Sequence, residues 1–327
     1  VPALVSTTAG SRRAVGLLLG LALDRALGDP RRWHPVAGFG STAAALERLT
    51  YRDSRPAGAL HVGVLVAGAA GLGLLAPRRG MGHVLATAAA TWAVLGGTSL
   101  LREGSAMATE LTADDLDAAR RRLPSLCGRD PSALDAAGLA RATVESVAEN
   151  TSDATVAPLV WGALAGVPGL LVYRAANTLD AMIGHHSPRY ERFGWAAARL
   201  DDGLNLAPAR LAGVLTVAAA PLVGGSPRQA VRAWRRDGAA HPSPNAGVVE
   251  ASAAGALGVQ LGGATPYPYG VQQRPLLGHG AAPTVADLRR AVRLSRLVQG
   301  GAVLASAALA VAVGQGGDRL RGRLRLR

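Results

Sequence analysis

Four groups of polar residues interrupt a chain otherwise built from Ala, Leu, Val and Gly, and their types point to metal and phosphate chemistry. The densest runs from Asn177 and Asp180 through His185-His186, Arg189-Tyr190-Glu191, Trp195, Arg199, Asp201-Asp202 and Asn205 to Arg210. Acids for a metal ion, arginines for phosphate and rings for a flat ligand fall within 34 residues. Charges beside a bilayer are costly and usually functional; a structural salt-bridge network is the plain alternative. On helical spacing Asn177, Asp180 and Gly184 share one face, and Arg199, Asp202 and Asn205 share another, with Arg210 at its end. Adjacent histidines point apart on a helix, so His185 and His186 do not read as a metal pair.

Glu145, Glu149 and Asp153 stand at i, i+4 and i+8, one helical face, with Asn150 beside them. Like charges at this spacing repel by a few tenths of a kcal/mol per pair, and a cation would relieve them. Mg²⁺ suits such a set, because it takes one or two carboxylates and completes its shell with substrate phosphates. A solvated acidic face is the alternative. His241-Pro-Ser-Pro-Asn245-Ala-Gly247, followed by Glu250, predicts a rigid turn with Asn245 as the cap of a following helix. That role leaves His241 and Glu250 unused. Asp24-Arg25, Gly28-Asp29-Pro30 and Trp33-His34-Pro35 read as a helix exit and turn.

All 35 basic residues are arginine, giving a formal charge of +13 with no lysine anywhere. This excludes a pyridoxal-phosphate Schiff base, a Walker-type P-loop and a Ser–Lys hydrolase. The single Cys127 excludes a disulfide within the chain and any CxxC metal site. No basic, aromatic-bearing face is visible, so the charge does not read as nucleic-acid binding.

These groups must be positioned by elements that are mostly apolar. Charged residues make up 17% of the 327, against about a quarter in soluble domains. The small residues suit close helix packing in lipid. Charge-free runs at 56–77, 80–101, 154–173, 211–227 and 297–317 are each near the roughly 20 residues that cross a bilayer. They predict an all-α, polytopic membrane protein of about five spans, with residues 1–327 as one membrane-embedded domain. Five spans place 23 arginines on the side of 1–55, 102–153 and 228–296 and 12 on the other, so positive-inside bias makes the first side cytoplasmic. The arginine-rich tail from Arg319 to Arg327 falls on the opposite side, which signals one miscounted span. Five spans also put 174–210 opposite the other three groups, whereas one active site should gather all four. The run 154–173, broken by Pro158, Gly162, Gly166 and Pro168, is therefore expected to bend or re-enter, and 211–227 is a second candidate for bending. Ala14–Leu23 reads as a short interfacial or half-buried helix rather than a signal-peptide core. Asp114–Leu123 and Asp287–Leu297 read as amphipathic helices, the second with a capping box of Thr284 and Asp287. Residues 251–273, rich in Gly, Gln, Tyr and Pro, read as a loop or a buried extramembrane segment.

The blocks GDPRRWHPV, ESVAENTSDATVAPL, NTLDAMIGH, RYERFGWAAARLDDGLNLAPARL and HPSPNAGVVEASAAGALGVQLGG resemble, in order, the signatures of the CobD/CbiB family. Those proteins are the membrane-bound adenosylcobinamide-phosphate synthases of cobalamin biosynthesis. The likeness runs from about residue 15 to 315. It departs where Ser152-Asp153-Ala154 keeps the Asp but not the following Gly, and where Val248 replaces an aromatic; neither touches a charged position. The resemblance implies a multi-pass protein of the bacterial inner or plasma membrane. Its activity would be an ATP-dependent ligation joining a carboxylate of adenosylcobyric acid to aminopropanol phosphate or aminopropanol. Other cobalamin-biosynthesis enzymes at the membrane are partners it allows. ATP and Mg²⁺ are the implied cofactors, with the corrinoid as substrate. In this reading Glu145, Glu149, Asp153, Asp180 and Asp202 are the Mg²⁺ candidates, and Asp201 joins Asp202 in the catalytic set. Arg189, Arg199 and Arg210 hold phosphates, and His34 or His241 is the base. Trp33, Tyr190 and Trp195 pack on the corrin; Asn150, Asn177, Asn205, Asn245 and Glu250 are further substrate contacts. Two rivals stand beside it: a Mg²⁺-dependent membrane phospho- or prenyltransferase, and a non-enzymatic membrane regulator of the AmpE type.

Overall fold

A computed structural model describes residues 8–29, 34–185, 187–267 and 270–325, with side chains as far as residue 316. The helices are α1 (Ala9–Leu27), α2 (Pro35–Thr50), α3 (Arg55–Leu74), α4 (Gly80–Val94), α5 (Gly97–Thr112), α6 (Leu116–Arg122) and α7 (Ala136–Thr151), then α8 (Ala157–Ala165), α9 (Val167–Leu179), α10 (Trp195–Ala219), α11 (Pro227–Asp237), α12 (Ala246–Leu257) and α13 (Val285–Arg325). One antiparallel pair, β1 (Gln260–Tyr267) and β2 (Gly270–Gly278), lies between the last two. The fold is thus helical apart from one hairpin. By contacts the chain divides into two compact units, residues 1–96, 157–204 and 303–327 in the first and residues 97–156 and 205–302 in the second.

Four helical stretches are long and apolar enough to cross a membrane: Arg55–Leu74, Gly80–Thr112, Trp195–Val223 and Val285–Gly316. They overlap four of the five expected spans, those at 56–77, 80–101, 211–227 and 297–317. The fifth, 154–173, is broken as its Pro and Gly content predicted. A π turn (Ser152–Val156) leads into α8, and Gly166 at φ +67° separates α8 from α9. At 1.5 Å per residue, α8 and α9 are about 14 and 20 Å long, so neither crosses a core of about 30 Å alone. The run 211–227 continues α10 as far as Ala219, with Pro208 inside the helix, then tightens into a 3-10 turn (Ala220–Val223) that ends at Gly224, φ +72°.

In the first unit, the apolar run Ala14–Leu23 forms most of α1, which lies close against α4. A Cβ at Gly16 or Gly20 would stand 2.5 or 2.3 Å from Thr87 or Thr91, so only glycine permits that approach. Arg13 of α1 donates to the carbonyls of Ala163 and Leu164 at 2.7 and 3.0 Å, satisfying the C-terminal end of α8 at the break. The apolar side chains Leu18, Leu19, Leu60, Val64, Leu72, Met81, Leu85 and Leu304 of this unit are exposed, as residues facing lipid are.

In the second unit, α6 has the expected acidic start, with Asp115 accepting from Ala118 N at 2.9 Å, and basic end at Arg120–Arg122. Thr284 and Asp287 form the expected capping box, Thr284 N donating to Asp287 at 3.0 Å. The helix they start does not stop at Leu297 but continues as α13. Residues 251–273 are not a loop, and their first part is buried, the other reading of that run. They complete α12, buried along its whole length, and form β1 and the start of β2. Without strict alternation the strand pair had no sequence signal; Gly262 and Gly263, at φ +85° and +83°, form a bulge instead.

Candidate functional site

The second unit holds a charged cluster supplied by five segments. Glu145 and Glu149 lie on α7 and Glu250 on α12, His241 sits in the turn before α12, and Arg274 and Tyr267 come from the hairpin. Arg129, from the loop before α7, pairs with Glu145, and both side chains are nearly inaccessible, at 8% and 3%. Glu145 also accepts the Gly262 amide at 2.6 Å. The bulge makes that contact possible, since a Cβ at Gly262 would meet the Pro275 carbonyl at 2.0 Å. Arg141 fastens the same bulge, donating to the carbonyls of Gly262 and Ala264 at 2.7 Å each.

Arg274 stands 3.9 Å from Glu250, donates to Tyr267 at 3.3 Å and directs an N–H at Nε2 of His241. That nitrogen therefore faces a donor, and on the other side of the ring Nδ1 lies 3.0 Å from the Ser243 amide, which donates to it, and 3.2 Å from the Ser243 carbonyl. Burial, then the Arg274 cation, depress the His241 pKa to about 4, so it is neutral at pH 7 although Glu250 lies 3.8 Å away. Glu250 is held well above the usual carboxylate range, by burial first and then by Glu149 and Glu145. Burial raises Glu149 as well, against the pull of Arg274 and Arg129. With Arg129 and Glu145 matched, Glu149 and Glu250 share essentially one cation, and each favours its neutral form more than a solvated carboxyl does.

This arrangement fixes a pH dependence of stability. An unfolded histidine titrates near 6.5 and the folded one near 4, so the unfolded chain binds more protons between those values and His241 stability is lost as pH falls through them. For Glu149 and Glu250 the folded pKa is raised, so their contribution is full below about pH 4.3 and declines as pH rises toward the folded values. Between about pH 4.3 and 6.5 the two effects oppose one another. Glu250→Gln removes part of the carboxyl effect, so over this window the melting temperature in detergent should rise more steeply with pH in the variant than in wild type. An equal slope in the variant would remove Glu250 as a contributor.

The remaining residues singled out in the sequence are distributed as follows. Arg210 donates to Asn245 Oδ1 at 2.7 Å. Asn245 therefore does not cap α12 with its side chain; Ser243 Oγ accepts the amides of Asn245 and Ala246 at 3.3 and 3.2 Å instead. Asn150 folds back on its own helix, donating to the Ser146 carbonyl at 2.9 Å, and Asn205 is buried on α10. Asp153 lies past α7, in the π turn, so the continuous face with Glu145 and Glu149 ends before it.

In the first unit, Asn177 donates to Asp201 at 3.3 Å and accepts from Arg174 at 3.4 Å. Asp180 opens a second π turn, Asp180–Gly184, rather than continuing the α-helix. Its carboxylate lies over Gly184, where a Cβ would approach within 1.9 Å. Asp202 is half-buried and Arg199 exposed on α10. Arg189 pairs with Glu47 at 2.9 Å and stacks on Tyr51, while Tyr190 donates to the same carboxylate at 3.1 Å. Arg55 lies over the exposed Trp195 ring, 5.4 Å from its centroid. His34 caps α2, Nδ1 accepting from Val36 N at 3.2 Å, with Nε2 3.8 Å from Asp29. Trp33, His186 and the side chains of the arginine tail lie outside the described residues.

Sequence reasoning missed Arg129, Arg141, Tyr267, Arg274 and both π turns. Inserted π turns recur at functional sites, and these two fall inside the ENTSDATV and NTLDAMIG blocks.

The fold and site define a polytopic helical protein with a buried acid–arginine centre. A sequence profile described as CobD/Cbib protein matches residues 17–295, and the chain belongs to that family. Cobalamin biosynthesis protein CobD of Mycobacterium tuberculosis is 64% identical over 295 residues, covering 89% of this chain and 94% of the relative. Proteins of the same name from Chromobacterium violaceum and Rhodobacter capsulatus are 43% and 41% identical, covering 86% and 91% of this chain and 91% and 98% of theirs. No solved structure matches.

Proposed function

We propose that this protein acts in cobalamin biosynthesis at the bacterial cell membrane, as the ligase that joins a carboxylate of adenosylcobyric acid to aminopropanol phosphate or aminopropanol with consumption of ATP. The observation that carries this reading is the enclosed Glu145–Glu149–Glu250 cluster with Arg129, Arg274 and His241. A folded domain has no structural need for three carboxylates in one buried place, since apolar packing does as well or better. Amide formation from a carboxylate needs activation of the acid, a cation for the developing charge and a group to take the amine's proton. Arg274 supplies the cation. Glu149 or Glu250 would take the amine's proton in preference to His241, whose Nε2 is already engaged by Arg274.

Among the described residues no three His, Cys, Asp or Glu converge as a metal site. Mg²⁺ bound with a nucleotide does not require three, because one or two carboxylates and the phosphates suffice. Glu145 fits poorly, being committed to Arg129 and the Gly262 amide. The half-buried oxygen donors Asp180, Asp201 and Asp202 of the first unit fit better, and would hold the ion that neutralises phosphate charge during activation.

The test is cobinamide phosphate formation by purified protein in liposomes from adenosylcobyric acid, ATP and either amine, beside rescue of a ligase-deficient strain. Product with ATP hydrolysed in step supports the reading. Rescue without turnover, or turnover of a polyprenyl substrate alone, would overturn it, as would release of the protein from membranes at high pH without detergent.

A further inference from the structure

We infer that the first unit carries a phospholipid site, an apolar cavity taking one acyl chain with Arg174 at the phosphate. The cavity measures about 310 Å³ and is walled by α2, α3, α4 and α9. Pro35, Val36, Phe39, Leu65, Ala93 and Leu171 supply an apolar lining, and Arg174 is the charged residue in it. Two further lining residues, Val64 and Leu72, are 52% and 64% exposed, so the cavity opens on the outer face of α3. That helix is one of the four able to cross a membrane, which places the opening where acyl chains are the surrounding solvent.

Size and chemistry choose among occupants. Ligand sites run from about 300 to 1,000 Å³, so this one is too small for a whole corrinoid and too apolar for an amino alcohol phosphate. An apolar cavity of this size gives water too few polar partners to be filled by it. A lipid tail matches the lining, and a guanidinium is the side chain best suited to a phosphate diester, through its planar fork of donors. Gly68 lies in the wall with no atom within 4 Å of where its Cβ would stand. A larger residue there would enter the cavity without colliding with the protein.

The test uses the full chain purified in detergent and offered phosphatidylglycerol or phosphatidylcholine. Native mass spectra of wild type should show one phospholipid per chain surviving washing, with phosphatidylglycerol retained several-fold better. Gly68→Leu should lower retention at least about fivefold while melting no lower than wild type without lipid; Ala69→Leu, on the same wall, gives the same reading if the first variant folds poorly. Arg174→Gln should keep a lipid but lose the headgroup preference. Absence of a retained lipid in wild type, undiminished retention in both cavity-filling variants, or unchanged preference in Arg174→Gln would each overturn the proposal. So would displacement of the lipid by adenosylcobyric acid, which would assign the cavity to substrate.

Discussion

Arg129→Ala should destabilise the protein by about 3–5 kcal/mol, the largest stability effect expected of any single charge removal here. Both partners of the Arg129–Glu145 pair are almost fully excluded from water. Removing the cation leaves the carboxylate with the Gly262 amide as its remaining close donor and two further acids nearby. Glu145→Gln should cost less, because an amide still accepts from Gly262 and leaves no unpaired carboxylate. Replacing both partners, as Arg129→Met with Glu145→Leu, should recover most of the stability, since buried pairs commonly give way to apolar residues at little cost. Chemical or thermal melts in one detergent measure all four proteins. If Arg129→Ala melted as wild type does, the pair would be solvated in solution and the enclosed cluster would not exist as described.

Much of the architecture was legible because lipid imposes simple rules. Charge-free runs of the right length located helices that are indeed long and apolar, and Pro158, Gly166 and Pro168 foretold the interruption at α8 and α9. The cap at Thr284 was legible for a similar reason, since an acid three residues from its donor is a local pattern. The hairpin was not legible, because its geometry depends on Gly262 and Gly263 adopting positive φ against α7 partners more than a hundred residues away in sequence. The site was half legible. Glu145, Glu149, Glu250 and His241 stood out as polar residues in apolar surroundings. Arg129 and Arg274, which neutralise them, sit in segments with no periodicity to fix their direction. Asn245 shows the limit of a local rule: a good capping residue at the right place was recruited by Arg210, and Ser243 took the cap.

The largest effect on activity is expected in the first unit. Asp180→Asn and Asp202→Asn should each reduce turnover by about tenfold or more, with little change in melting temperature. If these acids hold the magnesium of Mg²⁺–ATP, each amide removes a charge that the cation needs while keeping the side chain's size and one acceptor oxygen. A shared ion also makes the losses non-additive: once one ligand is gone the second matters less, so the double variant should fall well short of the product of the singles. Gly184→Ala supplies an independent route to the same result. The added methyl would stand 1.9 Å from Asp180 Oδ1, so it must displace that carboxylate while leaving every acid in the sequence. It should therefore raise the magnesium concentration needed for half-maximal rate, as Asp180→Asn does. The measurement is cobinamide phosphate formation across a magnesium titration, beside a melt. Normal rates in all three variants would remove the magnesium assignment and leave the family membership standing. Rates that fall only as far as the folded fraction falls would make Asp180 and Asp202 structural, holding the π turn and α10 in place rather than an ion.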